Sequence, residues 1–246
     1  GADINYLKNE GYPPIHIKNF KQQARKASVP GNVSSQYISA LLMVAPSLPL
    51  GLELQLTGKI YSRPYIDMTL QLMQHFGIRY SEQQNTISIE PQPWQGGNYT
   101  VESDWSGASY WYAVTALATE AEIELKGLRR DSFQGDSKIA EIGEMLGVAT
   151  RYTAQGVVLT KKAHQQKFLY NFAHCPDLAQ TVAVICAAKG IEAELLGLES
   201  LRIKETDRIA ALQQELRKTG VQAVAEGDEK LLLNGKAEVR PGTVFD

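Results

Sequence analysis

Three stretches of this chain obey one grammar, and any fold has to accommodate that repetition before anything else. Each stretch opens with a polar helix start and an apolar helix. A short strand ending in Gly follows, then a polar loop, an Asp, an amphipathic helix, a Gly and a hairpin. The first reads "SSQYISALLMVAP" and "LELQLTGKIYSRPYIDMTLQLMQHFGIRYSEQQNTISIEP". The second reads "WSGASYWYAVTALATE" and "AEIELKGLRRDSFQGDSKIAEIGEMLGVATRYTAQGVVLTKK". The third reads "CPDLAQTVAVICAAKG" and "IEAELLGLESLRIKETDRIAALQQELRKTGVQAVAEGDEKLLLNGK". Ser35, Ser106 and Asp177 are spaced by 71 residues each time, Gly58, Gly127 and Gly197 by 69 and 70, and Asp67, Asp136 and Asp207 by 69 and 71. That period is too long for a solenoid repeat. It suits a complete βαβαββ unit, with two helices among short alternating strands and a closing hairpin such as "YSEQQNTISI". The expected fold class is therefore α/β, built of tandem βαβαββ units.

The recurring residues carry local expectations. Asp67, Asp136 and Asp207 each precede an apolar-periodic helix and read as N-caps. Gly77, Gly147 and Gly220 follow those helices and read as left-handed C-caps, and Gly1 stands where they stand. The first helix of each repeat is almost wholly apolar or small, so burial on most sides is expected. Pro46 ends the first of them. The opening "GADINYLKNEGYPPIHIKN" matches the tail of a repeat, and the closing "AEVRPGTVFD" resembles a linker into another. No initiator Met is present, so the chain reads as cut at both ends.

Composition removes several classes of function. Hydrophobic residues at 43% and charged residues at 21% describe a globular protein. A net charge of −2 gives no global attraction to nucleic acid or an anionic membrane, so an anion site has to be local. No apolar run reaches the roughly 18 residues of a membrane span, and no signal peptide opens the chain. Cys175 and Cys186 form neither a CxxC pair nor a disulfide framework and read as buried small residues in a reducing cytoplasm. The four histidines, His16, His75, His164 and His174, show no metal-ligand spacing. P-loop, GxGxxG and GxSxG motifs are absent.

Polar residues in a buried helix are best tolerated at its N-terminus, where unpaired N–H groups and the helix dipole favour anions. All three apolar helices follow this, with Ser34, Ser35 and Gln36, then Asp104, Ser106 and Ser109, then Asp177 and Gln180. Capping explains one residue per helix. Two hydroxyls and an amide at the first start also suit a phosphate or polyhydroxyl ligand. The loop "LESLRIKETD" departs from its counterparts "KIYSRPYID" and "LRRDSFQGD". Lys204 and Arg208 flank Asp207, where cations face the positive end of a helix dipole, and the other copies place mostly uncharged residues there. A local rule broken in one copy of a repeat marks a candidate site. The competing reading is an ordinary solvated helix start.

At these residues the chain resembles the 5-enolpyruvylshikimate-3-phosphate synthase (3-phosphoshikimate 1-carboxyvinyltransferase) family. "SVPGNVSSQYISALLMVAP", "SRPYIDMTL", "SDWSGASYWYA", "FQGD", "CPDLAQTVA" and "LRIKETDRIAALQQELRKTG" match in order, and the likeness covers essentially the whole chain. The related UDP-N-acetylglucosamine enolpyruvyl transferase shares the fold but lacks the "SSQ" and "KETDR" combination. The resemblance implies two globular domains of three βαβαββ units each. It places residues 1–102 in one and 103–246 in the other. It implies transfer of the enolpyruvyl group of phosphoenolpyruvate to the 5-hydroxyl of shikimate 3-phosphate with release of phosphate. It also implies a cytoplasmic monomer with no cofactor, no metal and no nucleic-acid or membrane partner.

Carried over residue by residue, Ser34, Ser35, Gln36 and Ser62 resemble shikimate 3-phosphate ligands, with Tyr65 stacking near the ring. Gln36 also reaches toward phosphoenolpyruvate. Asp177 resembles the proton acceptor for the attacking hydroxyl, and Lys204 contacts the same substrate. Glu205 resembles the proton donor, and Arg208 a phosphoenolpyruvate-binding cation. Ser200 stands where many members carry Asn or Glu, and its hydroxyl is a weaker candidate for the same ligand. Lys204 and Arg208 should hold Glu205 ionised, against the need of a donor. Phosphoenolpyruvate neutralising both cations and closure desolvating Glu205 would reverse that. The family's other basic residues, a Lys–Ser…Arg group, an Arg in the preceding unit, a His–Arg pair and a late Lys, have no counterpart in the sequence. The expectation is a chain inactive or nearly so by itself, with weak binding of shikimate 3-phosphate. The alternative is a non-catalytic repeat scaffold with part of that binding site.

Overall fold

The computed structural model describes residues 2–61 and 63–245. They fall into two compact units, one formed by residues up to 60 together with 69–97, the other by 61–68 and residues from 98 onward.

In the first unit, β1 (Ala2–Tyr6) pairs antiparallel with β2 (Ile15–Phe20) as an exposed hairpin. The first repeat follows as β3 (Lys26–Pro30), α1 (Ser35–Val44), β4 (Leu52–Thr57), α2 (Arg63–His75), β5 (Ser81–Gln83) and β6 (Thr86–Ile89). The opening turns of α2 belong with the second unit. The sheet order is β3-β4-β6-β5, with β3 and β4 parallel and the other pairs antiparallel. Alternation along "LELQLT" buries Leu52, Leu54 and Leu56 on one face of β4.

The second unit begins with α3 (Trp105–Leu117), β7 (Glu122–Lys126), α4 (Ile139–Leu146), β8 (Val148–Tyr152) and β9 (Gly156–Lys161), whose sheet order is β7-β9-β8, all antiparallel. Among the described residues no strand of this unit precedes α3, so the second repeat lacks the first strand that the period led one to expect. The third repeat has the full set: β10 (Lys167–Asn171), α5 (Leu178–Lys189), β11 (Glu192–Leu196), α6 (Arg208–Arg217), β12 (Gln222–Glu226) and β13 (Lys230–Asn234). Its order β10-β11-β13-β12, with β10 and β11 parallel, reproduces the topology of the first repeat.

One core joins both repeats of this unit, including Trp105, Tyr112, Ile142, Leu159, Val182 and Leu231. Within it α3 and α5 meet through Ser109 and Thr181, whose hydroxyls are 3.2 Å apart. Gly143 lets α4 approach α3 closely, because a Cβ there would lie 2.8 Å from the Tyr112 ring. Cys175 and Cys186 are free and buried, and burial pushes each thiol up to about 12.

Burial of the apolar helices is uneven. It is most complete around α5, where Leu178, Val182, Ile185 and Cys186 are buried and Val184 is exposed. By contrast α3 leaves Tyr110, Trp111, Val114 and Leu117 exposed, and α1 leaves Tyr37, Met43 and Val44 exposed. A helix can be apolar all round in sequence, but its neighbours decide how much of that surface is covered.

The caps need correction. Asp207 does cap α6, accepting from Ile209 N at 3.1 Å and Ala210 N at 3.0 Å. Asp207→Ala should therefore cost about 1 kcal/mol in denaturant unfolding. Asp67 lies inside α2 and pairs with Arg63 Nε at 2.7 Å, because the helix starts earlier, with Pro64 in its first turn. Asp136 sits within a 3-10 turn, Gly135–Lys138, and is buried. Ser34 occupies the N-cap position of α1 without a side-chain cap bond, and Ser35 is already helical. Ser106 is likewise helical, since Asp104 caps α3. Gly77, Gly147 and Gly220 all take positive φ, Gly147 directly at the C-cap of α4. Gly1 lies outside the described residues.

Candidate active site

Asp177 is the centre of a cluster in the second unit. It holds the N-cap position of α5, but its backbone is already helical (φ −70°, ψ −17°) and its side chain makes no cap bond. The first N–H groups of that helix find other acceptors, Leu178 N on Cys175 O and Ala179 N on Pro176 O, both at 3.1 Å. That leaves the Asp177 carboxylate available, and the capping alternative for it is set aside.

Three segments converge on it. Tyr65, in the first turn of α2, donates its hydroxyl to Asp177 Oδ2 at 2.9 Å. Lys204, just after the 3-10 turn Glu199–Ile203, brings Nζ within 3.5 Å of Oδ1. Arg208, the first residue of α6, donates from one guanidinium nitrogen to Asp177 Oδ1 and Gln180 Oε1, both at 3.2 Å. Its other nitrogen donates to Glu205 Oε2 at 2.8 Å. Gln180, one turn along α5, is the cluster member whose polar start position was noted without a role.

The cations that break the helix-dipole rule are thus offset within the chain by Asp177 and Glu205. Two positive and two negative groups make the cluster electrically neutral, so an incoming anion has to draw Lys204 or Arg208 away from a carboxylate. The Glu205 side chain is 77% exposed. Its carboxylate is held below the usual range, first by its own backbone N–H and then by Arg208, with Lys204 contributing less. The expectation that Glu205 is ionised in the free chain is met, but the largest cause is a backbone donor that charge counting does not see.

Behind Tyr65 lies Asp136, 1% exposed. Its Oδ2 accepts from Ser106 Oγ and lies 3.4 Å from the Tyr65 hydroxyl, while Oδ1 is buried without a hydrogen-bond partner among the described residues. Burial raises this carboxyl from 3.8 to about 6, helped by the Asp177 charge and opposed by the Ser106 and Tyr65 bonds. Burial and the two carboxylates also push the Tyr65 phenol far above its ordinary value. Gln134 straps the turn to α3, accepting from Trp105 N at 2.8 Å and donating to Ser103 O at 2.9 Å.

The remaining candidates are placed as follows. Ser200 is 6% exposed, which leaves little of it for a ligand. Ser34, Ser35 and Gln36 lie together at the start of α1 in the first unit, with Ser34 and Gln36 exposed. Ser62 lies outside the described residues. A cavity of about 580 Å³ lined by Met145, Phe168 and Leu232 contains none of the described candidates.

Repeated βαβαββ topology with an ion-paired carboxylate at a helix start defines a protein of the enolpyruvyl transferase fold. Residues 1–245 match the family model described as EPSP synthase (3-phosphoshikimate 1-carboxyvinyltransferase), and the chain belongs to that family. It is 49% identical over 239 residues to the 3-phosphoshikimate 1-carboxyvinyltransferase of Bacteroides fragilis, covering 96% of this chain and 58% of that protein. It is 37% identical over 244 residues to the protein of the same name from Janthinobacterium sp., covering 97% and 55% respectively. The chain thus spans a little over half the length of the curated relatives it matches. The fold is similar to a solved EPSP synthase from Acinetobacter baumannii, with a TM-score of 0.68 at 20% identity over 97% of this chain and 55% of that one.

Proposed function

We propose that this chain carries part of the site at which the enolpyruvyl group of phosphoenolpyruvate passes to the 5-hydroxyl of shikimate 3-phosphate, releasing phosphate. The observation that carries the reading is the convergence of Tyr65, Lys204 and Arg208 on the Asp177 carboxylate. Asp177 takes the proton of the attacking hydroxyl, which suits a carboxylate whose oxygens are not spent on capping. Lys204 and Arg208 turn from carboxylates to the anionic groups of the two substrates. Glu205 donates a proton to phosphoenolpyruvate once its partner Arg208 is engaged and water is excluded. Ser34, Ser35, Gln36 and Ser62 bind shikimate 3-phosphate, with Tyr65 beside its ring.

The same reading assigns residues 1–102 and 103–246 to separate domains of a cytoplasmic monomer. The two compact units support that division, since they part near residue 97 except for the start of α2. Among the described residues no helix is long and apolar enough to cross a membrane.

Calorimetric scanning with and without shikimate 3-phosphate tests the assignment. A ligand present at 100 times its dissociation constant should add about 2.7 kcal/mol. That stabilisation should disappear in Lys204→Ala and in Ser35→Ala, while Lys236→Ala, at an exposed position after β13, keeps it. No stabilisation of the unsubstituted chain, or equal stabilisation of all variants, would leave a non-catalytic repeat scaffold as the better reading.

A further inference from the structure

We propose that Asp136 is a positioning residue for Asp177, acting through the Tyr65 hydroxyl that stands between the two carboxyl groups. The inference rests on Asp177 being the proton acceptor, but its physical core is a hydrogen-bond chain that can be read without substrate.

A phenol has one proton to donate. The Tyr65 hydroxyl faces Asp177 Oδ2 at 2.9 Å and Asp136 Oδ2 at 3.4 Å, so two acceptors compete for it. The competition depends on whether Asp136 carries a proton. A protonated Asp136 can donate toward Tyr65 or Ser106, which leaves the Tyr65 proton committed to Asp177. An ionised Asp136 only accepts, draws the Tyr65 proton toward itself and leaves an Asp177 oxygen open to a ligand hydroxyl.

Burial and the neighbouring Asp177 and Asp104 favour a proton on Asp136, while the Ser106 and Tyr65 hydrogen bonds oppose it. Ser106 and Asp104 face it from α3, Tyr65 from α2, and Asp177 from the start of α5. The Cys175 thiol feels its charge from the segment before α5. Burial and the neighbouring Asp177 move its ionisation to about 6. Among the described residues Oδ1 has no partner, which fits a carboxyl whose full hydrogen-bonding capacity is not used in one fixed state. Hydrogen-bond chains in a low-dielectric interior are the setting in which one change of protonation reorients its neighbours.

The test is a carboxyl-carbon NMR titration of the whole chain labelled at aspartate. In the unsubstituted chain Asp136 should titrate near 6, and the Asp177 carbon should show an inflection at the same pH. Asp136→Asn should abolish that inflection. Tyr65→Phe should abolish it too, although both carboxyl groups remain. An inflection that survives Tyr65→Phe would show coupling through space alone and overturn the proposal. So would an Asp136 that titrates in the ordinary carboxylate range. If Asp136→Asn does not fold, Tyr65→Phe decides the matter alone. Adding shikimate 3-phosphate separates the two readings: an Asp177 carbon unmoved by ligand, beside an intact Tyr65-dependent inflection, removes the functional assignment and leaves the positioning role standing.

Discussion

Gly135→Ala is expected to lower the thermal midpoint of the chain by about 2–12 °C and to abolish stabilisation by shikimate 3-phosphate. Gly135 opens the turn that carries Asp136, and a Cβ there would lie 2.5 Å from His174 O and 3.0 Å from Pro64 Cβ. Neither neighbour can easily give. His174 is followed by buried Cys175, and Pro64 is fixed in the first turn of α2. The methyl group therefore has to push apart the three segments that bring Asp136, Tyr65 and Asp177 together. Overpacking of this kind costs about 1–3 kcal/mol. The loss of ligand response follows from the same displacement, since Tyr65 is one residue from Pro64 and Asp177 three from His174. Gly96→Ala is the control, because its Cβ would meet no heavy atom within 4 Å. A Gly135→Ala midpoint within about 2 °C of the unsubstituted chain would mean that this close approach does not hold the site.

The repeat was legible because spacing reports topology. Nearly equal distances between helix starts, strand-ending glycines and the aspartates before the second helices suit the βαβαββ order, and the first and third repeats follow it through the same four-stranded sheet order. The second repeat shows the limit. Its landmarks keep the period, but a strand is defined by a partner, and no ladder forms before α3 among the described residues. Helix burial was half legible for the same reason. The apolar composition of α3 and α5 is alike, yet Trp111 is 50% exposed while Cys186 is 0% exposed.

The site was legible in its charges and less so in its geometry. In "KETDR" the capping Asp207 could be told apart from its neighbours, and the structure has Asp207 capping α6 while Lys204 and Arg208 pair with Asp177 and Glu205. The three equivalent aspartates could not be told apart, because a shared place in the repeat does not fix where the helix begins. Pro64 starts α2 early and leaves Asp67 mid-helix, the tight turn at Gly135 carries Asp136 inward, and Asp207 alone meets free N–H groups. Asp136 was therefore missed as a neighbour of the Tyr65–Asp177 pair. The signal that could have found it is the Gly immediately before it, which marks close approach of another backbone.

Chain stability should fall as pH rises from about 4.5 to about 7, by about 2 kcal/mol, with Asp136 responsible. Its carboxyl moves from 3.8 to about 6 on folding, so the folded state holds that proton more tightly than the unfolded chain. The contribution is complete below the unfolded value, where both states are protonated. It is lost as pH rises through about 6, where folding comes to require a buried carboxylate. Asp207 and Glu205 work in the opposite sense. Their values are lowered, so their contributions are present above the ordinary carboxylate range and vanish in acid, below this window. Lys189, lowered to about 8 by burial and by Lys161, acts above it. The slope between about pH 5 and 7 is therefore assigned to one residue. Asp136→Asn, which keeps the shape and cannot ionise, should flatten it in urea unfolding followed at each pH. At pH 7 the variant should match or exceed the unsubstituted chain, and near pH 4.5 it should be the less stable of the two. A slope unchanged by the substitution would place the buried proton elsewhere in the unit.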